Sequence, residues 1–429
     1  MRPSAFEEAT YRKVAWRLSP LLLICYVVAY LDRVNVGFAK LQMATDLQLS
    51  DAVYGFGAGI FFFGYFIFEI RSNLILHRVG ARVWIARIMI SWGIISALTM
   101  FITTPTMFYV MRFLLGAAEA GFFPGIILYL TYWFPARRRG RMTTLFMTAI
   151  ALSGLIGGPI SGWIMKTFDG AHGWHGWQWL LLLEGIPSVI VGLLVLAILD
   201  DCISRAKWLN QEERELLERN IAADNVQKED PPLGKILSSP KVWLMSLIYF
   251  SFVMGLYGVS FWLPTIIKSM GVSDTLQVGL LSAIPFGEAV IGMLYVARSA
   301  DRSGERRWHI AIPALIGAIG LVLSVVWSSN TTLAMVSLTL ATMGILTTLP
   351  LFWSLPWSLP TAFLAGTGAA AGIAMINSLG NLAGFLSPYL MGWLKQATAS
   401  NASGMYMLAG FMVLGALLAL SVPARMVNR

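Results

Sequence analysis

The sequence predicts an all-α integral membrane protein of twelve transmembrane helices in two halves of six. Three observations carry that prediction: the composition, the spacing of the apolar runs and the placement of the basic residues. Of 429 residues, 57% are hydrophobic and 12% are charged, against ~25% charged in ordinary soluble domains. The mean hydropathy is +0.69. Length alone would suggest two or three soluble domains. A chain this apolar lacks the polar side chains to cover itself, so most of its exterior must face lipid.

A helix needs ~20 largely apolar residues to cross a bilayer. Twelve such runs occur, at 18–40, 53–76, 82–103, 107–133, 142–165, 178–199, 241–267, 276–297, 309–328, 332–353, 366–393 and 404–423. The first follows a polar, basic stretch. It carries Asp32-Arg33 and no small-residue cleavage site, so it reads as a span and not a leader. Runs two and three flank Arg78-Val79-Gly80-Ala81-Arg82. Run four is rich in glycine and alanine and ends before the cluster Arg137, Arg138, Arg139 and Arg141. Run six opens on Trp174, Trp177 and Trp179, residue types expected to anchor at the interface. The interval 200–240 is polar, with Glu212-Glu213-Arg214-Glu215 and Asp230-Pro231-Pro232. After run eight, Ser299-Ala300-Asp301-Arg302-Ser303-Gly304-Glu305-Arg306-Arg307 matches the loop after run two. The organisation is therefore a first half at 1–199, a linker at 200–240 and a second half at 241–429. Six plus six with matched loops is the repeat pattern of secondary transporters with a midplane site.

The net charge of +9 is spread between the apolar runs and not gathered on one arm. With both termini cytoplasmic, 23 of the 31 Lys and Arg fall inside, four (Lys40, Lys166, Lys268, Lys395) fall outside, and four lie within spans. Flipping the chain reverses that bias, so the positive-inside rule places both termini in the cytoplasm of a bacterial inner membrane. No nucleic-acid partner is expected. The two cysteines and four histidines form no disulfide framework or metal set. No phosphate-binding loop, cofactor motif or nucleophile–base constellation is present, which argues against an enzyme or an ATP-driven pump. A bilayer is the implied surrounding.

Ionisable residues inside spans are rare and are candidates for function. Asp32 could load and release a proton, and Arg33 offers a planar donor fork suited to a carboxylate. Arg112 and Glu119 lie two turns apart, on one face of run four among small residues. Glu119 is a second candidate proton carrier. Glu69 and Arg71 lie near the end of run two, where long side chains can reach the interface. With Gly80, Arg82, Asp301 and Arg302 of the matched loops they are candidate gating residues. Glu184 is expected to pair with a cytoplasmic or interfacial group, and Glu288 is either a site acid or a helix-interface acid. Asn377 and Asn381, one turn apart, and Tyr65 are candidate substrate-binding groups.

These residues resemble the major facilitator superfamily and, within it, the anion:cation symporter family. The resemblance rests on Leu31-Asp32-Arg33-Val34-Asn35-Val36-Gly37-Phe38-Ala39 and on the run from Arg112 to Gly125 (Arg112-Phe113-Leu114-Leu115-Gly116-Ala117-Ala118-Glu119-Ala120-Gly121-Phe122-Phe123-Pro124-Gly125). Trp133-Phe134-Pro135, Gly176-Trp177-Gln178-Trp179 and Glu184-Gly185-Ile186-Pro187 add to it. It covers essentially the whole chain and is nearest to bacterial permeases for tartrate, phthalate, 4-hydroxyphenylacetate and sugar acids. The resemblance implies proton-coupled uptake of a small organic anion by a monomer. Proton coupling would lie at Asp32 and Glu119 and anion binding at Arg33, with Tyr65, Arg112 and Asn377 around a central cavity.

Three departures from the family pattern stand out: Arg71 in place of proline, Glu288, and Trp353-Ser354-Leu355-Pro356 repeated as Trp357-Ser358-Leu359-Pro360. The alternative reading is a proton-antiport exporter of drugs or metabolites. Gly154-x-x-x-Gly158-Pro159-x-x-Gly162 is close to the antiporter glycine–proline motif, but Trp163 stands where a second glycine is expected.

Overall fold

The computed structural model describes residues 4–225, 234, 238–354 and 366–423. Arg2, Lys228, Lys235, Arg425, Arg429, Asp230-Pro231-Pro232 and most of the repeated Trp-Ser-Leu-Pro segment lie outside them. Fifteen helices are described: α1 (Ala5–Val34), α2 (Val36–Asp46), α3 (Asp51–Val79), α4 (Ala81–Leu98), α5 (Pro105–Glu119), α6 (Phe122–Thr131), α7 (Ala136–Thr167), α8 (Gly176–Ile198), α9 (Gln211–Asn225), α10 (Pro240–Ser269), α11 (Thr275–Ser303), α12 (Arg307–Val326), α13 (Thr331–Ser354), α14 (Gly366–Thr398) and α15 (Ala402–Ser421). Eleven spans among the described residues are long and apolar enough to cross a membrane, counting α1–α2 and α5–α6 as one each. The long helix α14 supplies the twelfth crossing.

The termini of these helices are set by local chemistry. Ser50 Oγ accepts from Val53 N at 3.2 Å and starts α3. Thr104 Oγ1 accepts from Met107 N at 3.2 Å, with Pro105 at the first helical position, and starts α5. Such caps satisfy amide groups that a helix start leaves open.

Two predicted spans are broken helices. Span one divides at Asn35, two residues after Arg33. Span four divides after Glu119, where Ala120 is extended (φ −51, ψ 129) and Gly121 is left-handed (φ 85). Gly121 also presses on Ser72: a Cβ there would stand 2.5 Å from the serine Oγ. Both the backbone and the contact therefore require glycine. Broken helices at membrane depth occur where the backbone is buried in protein, and both breaks adjoin buried charges.

The first span extends further back than predicted, to Ala5, because Thr10, Tyr11 and Val14 bury one face. The polar interval after span six is also more than a loop, since it carries α9. Lys13 Nζ donates to Glu213 at 2.7 Å, Asn220 Nδ2 to Tyr11 Oη at 3.3 Å, and Trp208 stacks on Trp133 at 5.9 Å. Partial burial opposes ionisation of Glu213, but the hydrogen bonds from Lys13 and the Asn210 amide, together with the Lys13 charge, outweigh it and hold that carboxyl below its ordinary range.

The halves meet along α3 with α14 and α7 with α11. Gly158 lies against the backbone of Gly279, where a Cβ would stand 2.6 Å from the carbonyl oxygen. The glycine–proline run of span five thus serves close helix packing. On the face opposite the basic loops, polar ties join the halves. Lys395 pairs with Asp51 at 3.1 Å, Lys166 with Asp274 at 2.6 Å, and Lys268 Nζ donates to Leu41 O at 3.3 Å. Lys40, predicted in an outer loop, is on α2 and only 6% exposed, paired with Asp51 at 2.6 Å and 3.7 Å from the Trp262 ring.

Gly121→Ala should destabilise the protein by about 1–2 kcal/mol from the left-handed backbone alone, with more from the Ser72 contact. Thermal unfolding in detergent should show the loss. Gly170→Ala, at a position with open space and the same positive φ, should show only the backbone component.

Candidate functional site

Asp32 and Arg33, adjacent on α1, point about 100° apart around the helix and so reach different partners. Asp32 is 1% exposed and faces the interior of the first half. It accepts from Trp92 Nε1 at 3.0 Å, from Ser96 Oγ at 2.8 Å and from Ser188 Oγ. Trp92 and Ser96 are one turn apart on α4 and Ser188 is on α8. The nearest receptor of the Asp32 carboxylate is thus a set of neutral donors and not its neighbour Arg33.

Arg33 points the other way, toward the second half. It is 3% exposed; Nη1 donates to Tyr257 Oη on α10 at 2.6 Å, and Nη2 pairs with Glu119. The rings of Phe61, Tyr65 and Tyr30 surround the guanidinium at 5.5, 5.7 and 5.8 Å. These contacts suit a cation–π environment. Tyr30 is linked across the seam to Ser260 at 3.1 Å. Tyr65 is 1% exposed and its hydroxyl is buried without a hydrogen-bond partner, one turn of α3 above Glu69.

Arg112 completes the cluster from α5. Nη2 donates to Arg33 O at 3.4 Å and Ala58 O at 3.3 Å, and the guanidinium lies 5.0 Å from the Phe61 ring. A narrow internal cavity touches Asp32, Asn35, Ser96, Phe108 and Arg112, so Asp32 and Arg112 share a space although they are not paired. A second runs along the seam past Asn35, Ser153, Ser161, Ser260 and Ser282. Asp32, Arg33, Arg112 and Glu119 are all at most 3% exposed, so this conformation is closed around the charges.

Several residues stand elsewhere than the sequence suggested. Glu69 does not reach the interface: α3 continues to Val79, which leaves Glu69 0% exposed and deep in the bundle. It accepts from Asn377 Nδ2 at 2.6 Å and from Ser378 Oγ, both on α14. Glu184 is likewise not interfacial. It is 5% exposed, accepts from Ser161 Oγ at 2.7 Å and lies close to Asn35 and Asp32. Trp177 is packed inside, donating Nε1 to Asp46 at 2.7 Å, because the α8 start is held against α2. Glu288 is exposed on α11 and Arg71 is exposed on α3, so neither joins the cluster. Asn381 is buried one turn beyond Asn377.

Of the matched loops, Gly80 (φ 99) ends α3, Arg82 N donates to Asp201 Oδ1 at 2.9 Å and Arg82 Nε to Leu196 O at 2.6 Å. Asp301 pairs with Arg306, and Arg302 is exposed. The sequence reading missed Trp92, Ser96, Ser188, Tyr257 and Ser378. Only Trp92 and Ser96, polar-tipped and one turn apart in an apolar helix, gave a signal.

Residues 22–388 match the model of the Major Facilitator Superfamily. The chain is 50% identical over 424 residues to a putative metabolite transport protein NicT of Pseudomonas putida, covering 98% of this chain and 96% of that one. It is 48% identical over 419 residues to a putative tartrate transporter of Agrobacterium vitis, covering 97% and 95%. It is 40% identical over 425 residues to a quinolone resistance transporter of Acinetobacter baumannii, covering 98% and 96%. The xylose transporter XylE of E. coli shares the fold, with a TM-score of 0.76 at 16% identity over 95% of this chain and 98% of that one. The helical architecture in two halves and these matches together identify the chain as a member of the Major Facilitator Superfamily, a family of multi-pass membrane transporters.

Proposed function

We propose that this transporter imports a small organic anion, a carboxylate such as a hydroxy acid, sugar acid or aromatic acid, together with protons by alternating access. The observation that carries the proposal is Arg33: a buried guanidinium fork shared between Glu119 of its own half and Tyr257 of the other. Two relatives named as tartrate transporters, 48% and 46% identical, support the substrate class.

The coupling follows from competition. While ionised, Glu119 occupies Arg33. A proton on Glu119 releases the fork, and a substrate carboxylate takes it. Arg112 adds a second positive charge to the same region, and Tyr65 and Asn377 supply neutral groups. Asp32, in its nest of neutral donors, carries a further proton. Asp32, Glu69, Glu119 and Glu184 are buried in the membrane-spanning bundle together with Arg33 and Arg112, and those acids offer capacity for protons. The basic face is cytoplasmic, and the halves 1–199 and 241–429 rock about the site as a monomer. Gly80, Arg82, Asp301 and Arg302 act in the loops where that face opens.

The driving force sets the proton count. Each elementary charge moved through ~100 mV is worth about 2.3 kcal/mol. A monoanion entering a negative interior opposes this; one proton makes the cycle neutral, and more make it accumulative. A dianion needs two for neutrality, and Asp32 with Glu119 can carry two.

A second reading, export by proton antiport, is favoured by the relative named for quinolone resistance. Proteoliposomes separate the two. An inward proton gradient should drive tartrate accumulation under the import reading. Gradient-driven expulsion of a quinolone, with no tartrate uptake, would establish export.

Asp32→Asn should abolish gradient-driven accumulation while tartrate counterflow persists; full accumulation by this variant would remove Asp32 from the coupling. Arg33→Lys keeps the charge but loses the fork. It should weaken uptake by roughly 1–3 kcal/mol of binding, about five- to 150-fold in KM. An unchanged KM would exclude Arg33 as the anion receptor.

A further inference from the structure

Glu69 is the acid that the fold uses most unexpectedly. Its carboxylate is fully buried, yet neither oxygen is held by its own half. Oε1 receives the Asn377 amide at 2.6 Å and Oε2 receives the Ser378 hydroxyl. Both donors belong to α14, on the far side of the seam. Tyr65 stands one turn before Glu69 on α3, and its ring lies 5.7 Å from the Arg33 guanidinium. Glu69 is therefore a neighbour of the Arg33–Glu119 pair.

The two halves are then alike in one respect. The first half presents a carboxylate receptor, Arg33, filled by Glu119. The second half presents a neutral carboxylate receptor, Asn377 with Ser378, filled by Glu69. In both cases the carboxylate comes from the protein's own first half. An amide N–H and a hydroxyl from adjacent positions satisfy both oxygens of one carboxylate, which is what a receptor for a substrate carboxylate would need.

We propose that Asn377 and Ser378 form the second half's carboxylate cradle, that Glu69 fills it in this closed conformation as an internal stand-in for substrate, and that the ligand suited to both receptors is a dicarboxylate. One carboxylate of the ligand takes Arg33 from Glu119, and the other takes the cradle from Glu69. Displacing Glu69 removes its tie between α3 and α14 and frees the seam to part on the basic face. A monocarboxylate can fill one receptor only, so it leaves Glu69 in place and the seam tied. This inference rests on the anion-import reading and narrows its substrate class.

The test uses the full-length protein in detergent, with tartrate as the dicarboxylate probe and glycerate as a monocarboxylate of similar polarity. Glu69→Gln keeps the shape and removes the competing charge. If Glu69 occupies the cradle in about 90% of the empty protein, its removal should tighten tartrate binding about tenfold, with glycerate, which does not use the cradle, unchanged. Ser378→Ala, a small change that guards against a misfolded Asn377 variant, should weaken tartrate severalfold and spare glycerate. Equal tartrate affinity in wild type and Glu69→Gln would overturn the proposal, as would equal effects on both probes.

A ligand-free measurement separates this inference from the import reading. Met375→Cys, 5% exposed and two residues before Asn377 on α14, is introduced with Cys25→Ser and Cys202→Ser. Adding Glu69→Gln should raise alkylation of that cysteine severalfold. Absence of tartrate and glycerate binding in every variant, with raised alkylation, would sink the import reading and keep Glu69 as the tie. Unchanged alkylation overturns the tie whatever the ligand results.

Discussion

A guanidinium kept out of water and lipid by a carboxylate, a phenol and three aromatic rings is the interaction on which the site depends. Arg33 cannot be neutralised at any ordinary pH, so it must be compensated wherever the bundle places it. Glu119 compensates its charge and Tyr257 satisfies a second donor. Because Glu119 sits in the first half and Tyr257 in the second, the same side chain both balances charge and joins the halves. Removing either partner leaves a buried donor without its acceptor, and such a group destabilises far more than the pair stabilises. A competing carboxylate is the natural replacement for Glu119.

Helix geometry makes that placement possible. Asp32 and Arg33 diverge by about 100° because successive residues on a helix do. In α5 the chain stops at Glu119, so this carboxylate stands at a helix end beside the extended Ala120. Gly121 then starts a new direction that only a residue without a Cβ accommodates against Ser72. Small residues of α7 and α11 serve a different purpose, letting the two halves approach backbone to backbone.

Much of this was legible in the sequence. The membrane-spanning character and the four central ionisable residues stand out because a charge inside an apolar run has few benign explanations. What sequence could not give was direction and partnership. Glu69 reads as a helix-end residue when run two is judged by hydropathy, since that run fades near residue 76. Hydrogen bonding carries α3 to Val79, which puts Glu69 ten residues from the helix end, roughly 15 Å at the rise of a helix. Glu184 reads as interfacial because it stands near the start of run six, yet Ser161 of α7 covers it. Glu288 illustrates the complementary failure: α11 is apolar around most of its circumference, so nothing in the run says which face meets lipid. Ser188, Tyr257 and Ser378 were invisible because an isolated hydroxyl in a span gains meaning only from the side chain brought opposite it.

The ties across the two ends of the seam differ in their access to water. Lys166 is 52% exposed and its partner Asp274 30%, while Lys395 and Asp51 are 24% and 28% exposed. Glu69 with Asn377 and Ser378 is shut away from solvent. Dissolved ions reach the first set and weaken it by screening; they do not reach the second. Ionic strength on the lysine-bearing side thus acts on one end of the molecule alone, and the balance between the two closures follows the composition of the medium that bathes that end.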